Sequence, residues 1–202
     1  KQVPCVILND IAYIDYAYDL ENSRKYMEAF NNISEQVMVV VAFSCSKTMT
    51  SYGLRCGAAI LLAQSAESVR QAEIVFEKSA RAIWSNIPNA AMDNFYQVTT
   101  EHYDDFMNEK AVYIDYLKQR SEIFKTEAEA CSLPCYPYKE GFFVTIQIED
   151  NDRRDRYHEL LLANNIFTVK VNHGIRVAVC SLSIDKCKGL AARMKQYLDE
   201  TK

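Results

Sequence analysis

The chain has 202 residues, 49% hydrophobic and 25% charged, which is the composition of a globular protein able to bury one large core or two small ones. A formal net charge of -4 offers no basic field to a nucleic acid. The longest uncharged apolar runs are too short to span a bilayer, so no membrane partner is expected.

Residues 3–8, Val-Pro-Cys-Val-Ile-Leu, form a buried-strand pattern, with Pro4 tolerable near a strand start. Asn9 and Asp10 end it, and residues 11–16 follow as a loop. Residues 21–33 are polar with Tyr26, Met27 and Phe30 as apolar positions, which predicts a short surface helix. The continuous run 37–43 is a strand buried on both faces, and strand–helix–strand implies a right-handed parallel crossover. Residues 58–62 are a third buried strand, close enough behind the second for an antiparallel return. Helices are expected over 65–83, 89–99 and 101–130, the first broken by the segment Trp84 to Pro88. From Phe142 to Ile148 the period changes to alternation, a strand with two different faces. A helix over 156–164, two strands over 166–171 and 175–179 joined by a tight turn at Asn172-His173-Gly174, and an amphipathic helix over 184–197 complete the chain. The pattern divides the chain at about residue 115, with 1–115 as part of a larger unit, 116–202 as a smaller α+β unit and the long helix bridging them.

The seven cysteines are odd in number, lack any Cys-x-x-Cys and sit mostly in apolar contexts, so they are read as reduced, mostly buried thiols of a cytoplasmic protein. His102, His158 and His173 are far apart and show no metal spacing, and no metal site is expected. The first residues run straight into a strand with no secretory signal and no initiator methionine, which suggests a piece of a longer chain.

The chemistry concentrates where the second strand ends. Ser44, Ser46 and Lys47 are followed within one short loop by Gly53 and Arg55. A lysine at the carboxyl end of a buried parallel strand stands where α/β sheets place ligands. The hydroxyls and Arg55 suit a phosphate, which leaves the Lys47 amine for a carbonyl. The same residues also read as a plain strand end with a solvated lysine.

Taken together, Asp10 with Tyr13, Ser44-x-Ser46-Lys47, Arg55-x-Gly57 and Gly174-Ile-Arg176 resemble the class I aminotransferases, most closely the aspartate and aromatic amino acid branch. The resemblance runs over nearly the whole chain. It implies an α/β protein: part of the large mixed-sheet domain of a fold type I pyridoxal 5'-phosphate (PLP) enzyme, followed by a small α+β domain. Lys47 is then similar to the Schiff-base lysine, which also carries the proton between substrate Cα and the cofactor. Asp10 matches the carboxylate beside the pyridine nitrogen, and Tyr13 the phenol that bonds the ring hydroxyl. Ser44, Ser46 and Arg55 match phosphate ligands, and Arg176 the fork that holds the substrate α-carboxylate.

Arg81 precedes a segment, Trp84-Ser85-Asn86-Ile87-Pro88, similar to the Arg-x-x-aromatic-Ser-Asn-Pro-Pro stretch of that branch, with Ile87 in place of the first proline. There the arginine binds the distal carboxylate of a dicarboxylic substrate from across a homodimer. The resemblance thus implies transamination of aspartate or glutamate, and also aromatic amino acids, with a 2-oxo acid. Nothing before Asp10 matches the family's small-residue phosphate loop, stacking aromatic or ring asparagine. The chain is therefore read as a carboxyl-terminal half, inactive alone. Two alternatives stand beside this reading: another fold type I enzyme, such as a carbon–sulfur lyase or an aminocyclopropane-carboxylate synthase, and a non-catalytic structural domain.

Overall fold

In the computed structural model, which describes residues 3–201, the first unit is built on a mixed three-stranded sheet. Strand β1 (Cys5–Asp10) runs parallel to β2 (Val37–Ser44), with Cys5 opposite Val37 and Asp10 opposite Ala42. Between them come a 3-10 turn at Ile14–Tyr16, the short helix α1 (Leu20–Arg24) and a 3-10 stretch at Lys25–Asn32. Asp19 caps α1 by accepting from the Asn22 amide at 3.1 Å. The single surface helix expected over 21–33 thus breaks into two forms. No residue in either piece is buried, so tertiary packing adds little to hold a regular α-helix.

Strand β2 passes into one turn of helix, α2 (Cys45–Thr48), and the chain returns antiparallel as β3 (Gly57–Leu62). Gly57 faces Ser44 across this pair, and a Cβ on Gly57 would stand 2.7 Å from the Phe43 carbonyl oxygen. Only glycine allows the two backbones to close there. Helix α3 (Ala66–Ile83) starts under a Ser65 cap, and α4 (Asn89–Thr99) follows Pro88. The ring of Phe95 on α4 meets Phe43 of β2 edge-on at 6.1 Å. Val39, Val40, Val41 and Ala91 are buried, and they form the heart of this unit.

The flanking strands depart from expectation. Both were read as buried, yet β1 and β3 are largely exposed, with Val6 65% and Leu8 69% accessible. The reason is topological. Each is an edge of a three-stranded sheet, and among the described residues no element covers the faces of β1. The apolar runs are strands as expected, but the expected burial of β1 and β3 does not hold.

The chain divides into two compact units, Lys1–Met107 and Asn108–Lys202, and the division falls inside the long helix α5 (Tyr103–Ala130). The second unit has its own antiparallel sheet of β4 (Phe143–Gln147), β5 (Val169–Val171) and β6 (Gly174–Ala178), in the order β4-β6-β5. Helix α6 (Asn151–Ala163) begins earlier than the periodicity alone suggests, because both carboxylate oxygens of Asp150 accept amides, from Asp152 at 2.9 Å and Arg153 at 3.2 Å. The helix expected over 184–197 is two, α7 (Ile184–Cys187) and α8 (Leu190–Asp199). Gly189 separates them with φ +74, a left-handed turn an uninterrupted helix cannot contain.

This unit is well filled. Phe124, Ile146, Leu161, Ile175 and Met194 are fully buried, and Tyr157 lies among the buried side chains with its hydroxyl donating to the Met194 carbonyl at 2.9 Å. Burial pushes the Tyr157 phenol well above its ordinary range. All seven cysteines are free thiols, but only Cys45 and Cys187 are buried, fewer than expected; Cys5 is exposed and the other four are half-buried.

The bare faces of β1 set a testable property. The isolated 202-residue chain should self-associate through them. Val6 and Leu8 point to one face of the strand, so Val6→Glu with Leu8→Glu should shift the sedimenting species toward the 23.2 kDa monomer. A wild-type chain that sediments as a monomer at high concentration would count against that face being adhesive.

Candidate functional site

The end of β2 and the segment that joins it to β3 carry four of the residues singled out by the sequence, Ser44, Ser46, Lys47 and Arg55. Ser44 ends β2 and caps α2, its Oγ accepting from the Ser46 amide at 3.2 Å. Lys47 lies in the one turn of α2 that follows. The Cys45 carbonyl gathers the Met49 amide at 3.0 Å and the Ser51 hydroxyl at 3.0 Å, and the Thr50 amide donates to the Lys47 carbonyl at 3.1 Å. The backbone then bends twice through the left-handed region at non-glycine positions, Thr50 with φ 51 and Arg55 with φ 56. Each such residue costs on the order of 1–2 kcal/mol, and the local bonds hold the loop in that shape. Cys56 closes the segment by accepting the Cys45 amide at 3.1 Å.

Two cations converge on one aromatic ring. The Lys47 amine lies 4.7 Å from the centre of the Tyr52 ring, and the Arg55 guanidinium lies 5.2 Å from it. Arg55 also donates to the Tyr52 carbonyl at 2.6 Å. The Tyr13 ring stands 5.7 Å from the same amine. Among the described residues no carboxylate forms an ion pair with Lys47 or Arg55. Two unneutralised cations beside two hydroxyl side chains are a donor set that suits an anionic group such as a phosphate.

The other residues of the first unit are placed as follows. Asp10 ends β1 at the same end of the sheet at which β2 ends, and its Oδ1 accepts the Ala12 amide at 3.0 Å, which turns the chain toward Tyr13. Arg81 lies in the last turn of α3, exposed, and donates to the Ser85 hydroxyl at 2.6 Å. Ser85 takes φ 72, and with it the chain leaves the helix. Arg176 belongs to the second unit. It sits on the central strand β6 between Thr145 and Val169, and its guanidinium lies 4.4 Å from the centre of the Phe143 ring.

Two residues of this region have no role in the sequence reading. Tyr52 holds both cations, and its signal is present: an aromatic interleaved between Lys47 and Arg55. Tyr16 donates its hydroxyl to the Lys47 carbonyl at 2.8 Å across thirty-one residues of sequence, a contact with no local signature. The thiol of Cys45 is pushed up to about 12, first by burial and then by the adjacent Cys56.

Residues 1–194 match the family model of the class I and II aminotransferases. The chain belongs to that family. An aminotransferase from Anaerococcus prevotii is 34% identical, with a TM-score of 0.90, over 97% of this chain and 47% of its own. An aromatic-amino-acid aminotransferase from Burkholderia pseudomallei, covalently bound to pyridoxal phosphate in its crystal, is 20% identical with a TM-score of 0.68, over 96% of this chain and 48% of its own. A putative aspartate aminotransferase from Leishmania major is 17% identical with a TM-score of 0.70, over 92% and 46%. The latter two share the fold. This aminotransferase chain spans about half the length of the solved relatives. No curated protein matches it. The fold is the expected one, α/β with a partial mixed sheet followed by a small α+β part.

The glycine at the close of the segment gives a direct check. Gly57→Ala must push β2 and β3 apart and should lower the urea midpoint, whereas Gly53→Ala, with nothing within 4 Å of the new methyl, should leave it nearly unchanged. Equal midpoints for the two variants would show that the strands do not approach as described.

Proposed function

We propose that the full-length protein is a PLP-dependent aminotransferase that transfers the amino group of aspartate or glutamate, and of aromatic amino acids, to a 2-oxo acid. The observation that carries the reading is the pair Lys47 and Arg55, unneutralised and sharing one aromatic ring at the end of β2, in a chain of this family. The donor set fits the cofactor: Ser44, Ser46 and Arg55 would hold its phosphate, Asp10 its ring nitrogen and Tyr13 its ring hydroxyl. When bound, PLP supplies the electron sink for the carbanion formed at the substrate Cα. Lys47 would hold the cofactor through its amine and would take and return the proton at Cα. Arg176 binds the α-carboxylate through its planar fork, and Arg81 the distal carboxylate of an acidic substrate.

The finer parts of this reading rest on the same residues. The large domain comprises residues 1–115 and the small domain 116–202, in line with a chain that separates into two units within α5. A homodimer fits an Arg81 that is exposed at a helix end, ready to serve a neighbouring site. Seven free thiols favour the cytoplasm. The 202-residue chain by itself is inactive, consistent with uncovered strand faces beside the Lys47 segment.

Two substitutions test the reading in the full-length protein. Lys47→Ala should abolish turnover, and borohydride reduction in the presence of PLP should no longer fix the cofactor to the peptide bearing residue 47. Substantial turnover by this variant would overturn the assignment. Arg81→Gln should remove a charge-assisted partner worth roughly 2–5 kcal/mol, lowering kcat/KM for aspartate by about 30- to 5,000-fold while a neutral amino acid loses far less. Equal losses with both substrates would make Arg81 structural.

A further inference from the structure

Cys45 and Cys56 bracket the segment that carries Lys47 and Arg55. They lie just beyond the end of the antiparallel ladder, in which Phe43 faces Ala58 and Ser44 faces Gly57. The Cys45 amide donates to the Cys56 carbonyl at 3.1 Å, so the pairing continues past the end of the strands. The Cys56 thiol is near enough to Cys45 to add to the burial that holds the Cys45 proton. Opposed residues in an antiparallel pair have Cα atoms roughly 4.5–5.5 Å apart, inside the range of about 4.4–6.8 Å that a disulfide spans. Neither thiol is used by the reading of Lys47, and both are free.

We propose that Cys45 and Cys56 form a redox modification site, a dithiol that closes to a disulfide across the base of the lysine segment. The co-reactant is a small-molecule disulfide such as oxidised glutathione. Cys56, the half-buried member, meets it first. Its thiolate attacks one sulfur of the oxidant, forming a mixed disulfide and expelling one glutathione thiolate. Cys45 then gives up its proton to solvent and attacks the Cys56 sulfur, expelling the second glutathione. Two protein thiols are oxidised by two electrons, and one oxidised glutathione becomes two reduced ones. Cys45 is buried and holds its proton firmly, so it acts as the resolving partner and not as the first attacker. The closed ring runs from residue 45 to residue 56 and ties together the two ends of the stretch that presents Lys47 and Arg55. Because the backbones already approach closely at Ser44 and Gly57, closure needs little backbone movement.

The inference stands apart from the assignment of Lys47 and is tested without measuring turnover. The full-length protein is incubated with oxidised glutathione, free thiols are blocked with iodoacetamide, and the digest is mapped by mass. Expected is a peptide pair joined between Cys45 and Cys56, lighter than its reduced form by two hydrogens and restored by dithiothreitol. Hydrogen exchange of the intervening amides should slow in the oxidised protein. Cys56→Ser and Cys45→Ser should each lose the linked peptide, while a Cys131→Ser, Cys135→Ser double variant should keep it. Should Cys45→Ser fail to fold, Cys56→Ser, at the more accessible position, still decides. A Cys56 that remains alkylatable, that stops at a glutathione adduct, or that links to any cysteine other than Cys45 would overturn the proposal.

Discussion

The close approach of β2 and β3 at Ser44 and Gly57 is the constraint on which the first unit depends. With no Cβ at Gly57 the two backbones can meet, and a side chain there would strike the Phe43 carbonyl. That contact fixes where the lysine segment leaves the sheet and where it comes back. Everything between is then short of room. The chain turns through one helical turn and two left-handed residues, Thr50 and Arg55, and folds its carbonyls onto its own amides. A segment closed this tightly holds Lys47 and Arg55 over the same tyrosine ring with few alternative arrangements.

The parallel partner of β2 supplies the second anchor. Asp10 ends β1 at the carboxyl end shared with β2, and the Ala12 amide bonded to its carboxylate turns the following residues so that the Tyr13 ring comes within 5.7 Å of the Lys47 amine. Tyr16, one turn further, ties its hydroxyl to the Lys47 carbonyl and so joins the loop after β1 to the turn after β2. Two loops at the ends of adjacent parallel strands are thereby held together, at the end of the sheet where α/β folds commonly place ligands.

The two units are stabilised differently. The second unit buries whole side chains of α5, α6 and α8 against its sheet, with Phe124, Leu161 and Met194 excluded from water. The polar ends are met within the unit: Arg153 donates to the Leu198 carbonyl at 3.0 Å, and Arg120 to the Cys180 carbonyl at 3.0 Å. On its surface, Arg154 and then Lys170 hold the Asp155 carboxyl below its ordinary range. The first unit keeps a buried centre in β2 but leaves both edge strands open. Apolar area is worth about 25 cal/mol per Å² only when it is covered, so β1 and β3 contribute far less here than their sequences suggest.

Much of this was legible in the sequence. The runs 37–43 and 58–62, the alternation from Phe142 to Ile148, the turn at Asn172-His173 and the long helix are local patterns that hydrophobic period and turn chemistry specify directly. The spacing from Ser44 to Arg55 already grouped hydroxyls, amine and guanidinium on one loop, because residues so few positions apart cannot separate far. Other features depend on residues distant in the chain. The bond from Tyr16 to Lys47, the convergence of two cations on Tyr52, and the approach of Cys45 to Cys56 exist only once β1, β2 and β3 are in register. Exposure was likewise undecided. An apolar strand records that it suits burial, but whether a neighbour covers it is a property of the assembled sheet, and among the described residues none covers Val6 and Leu8.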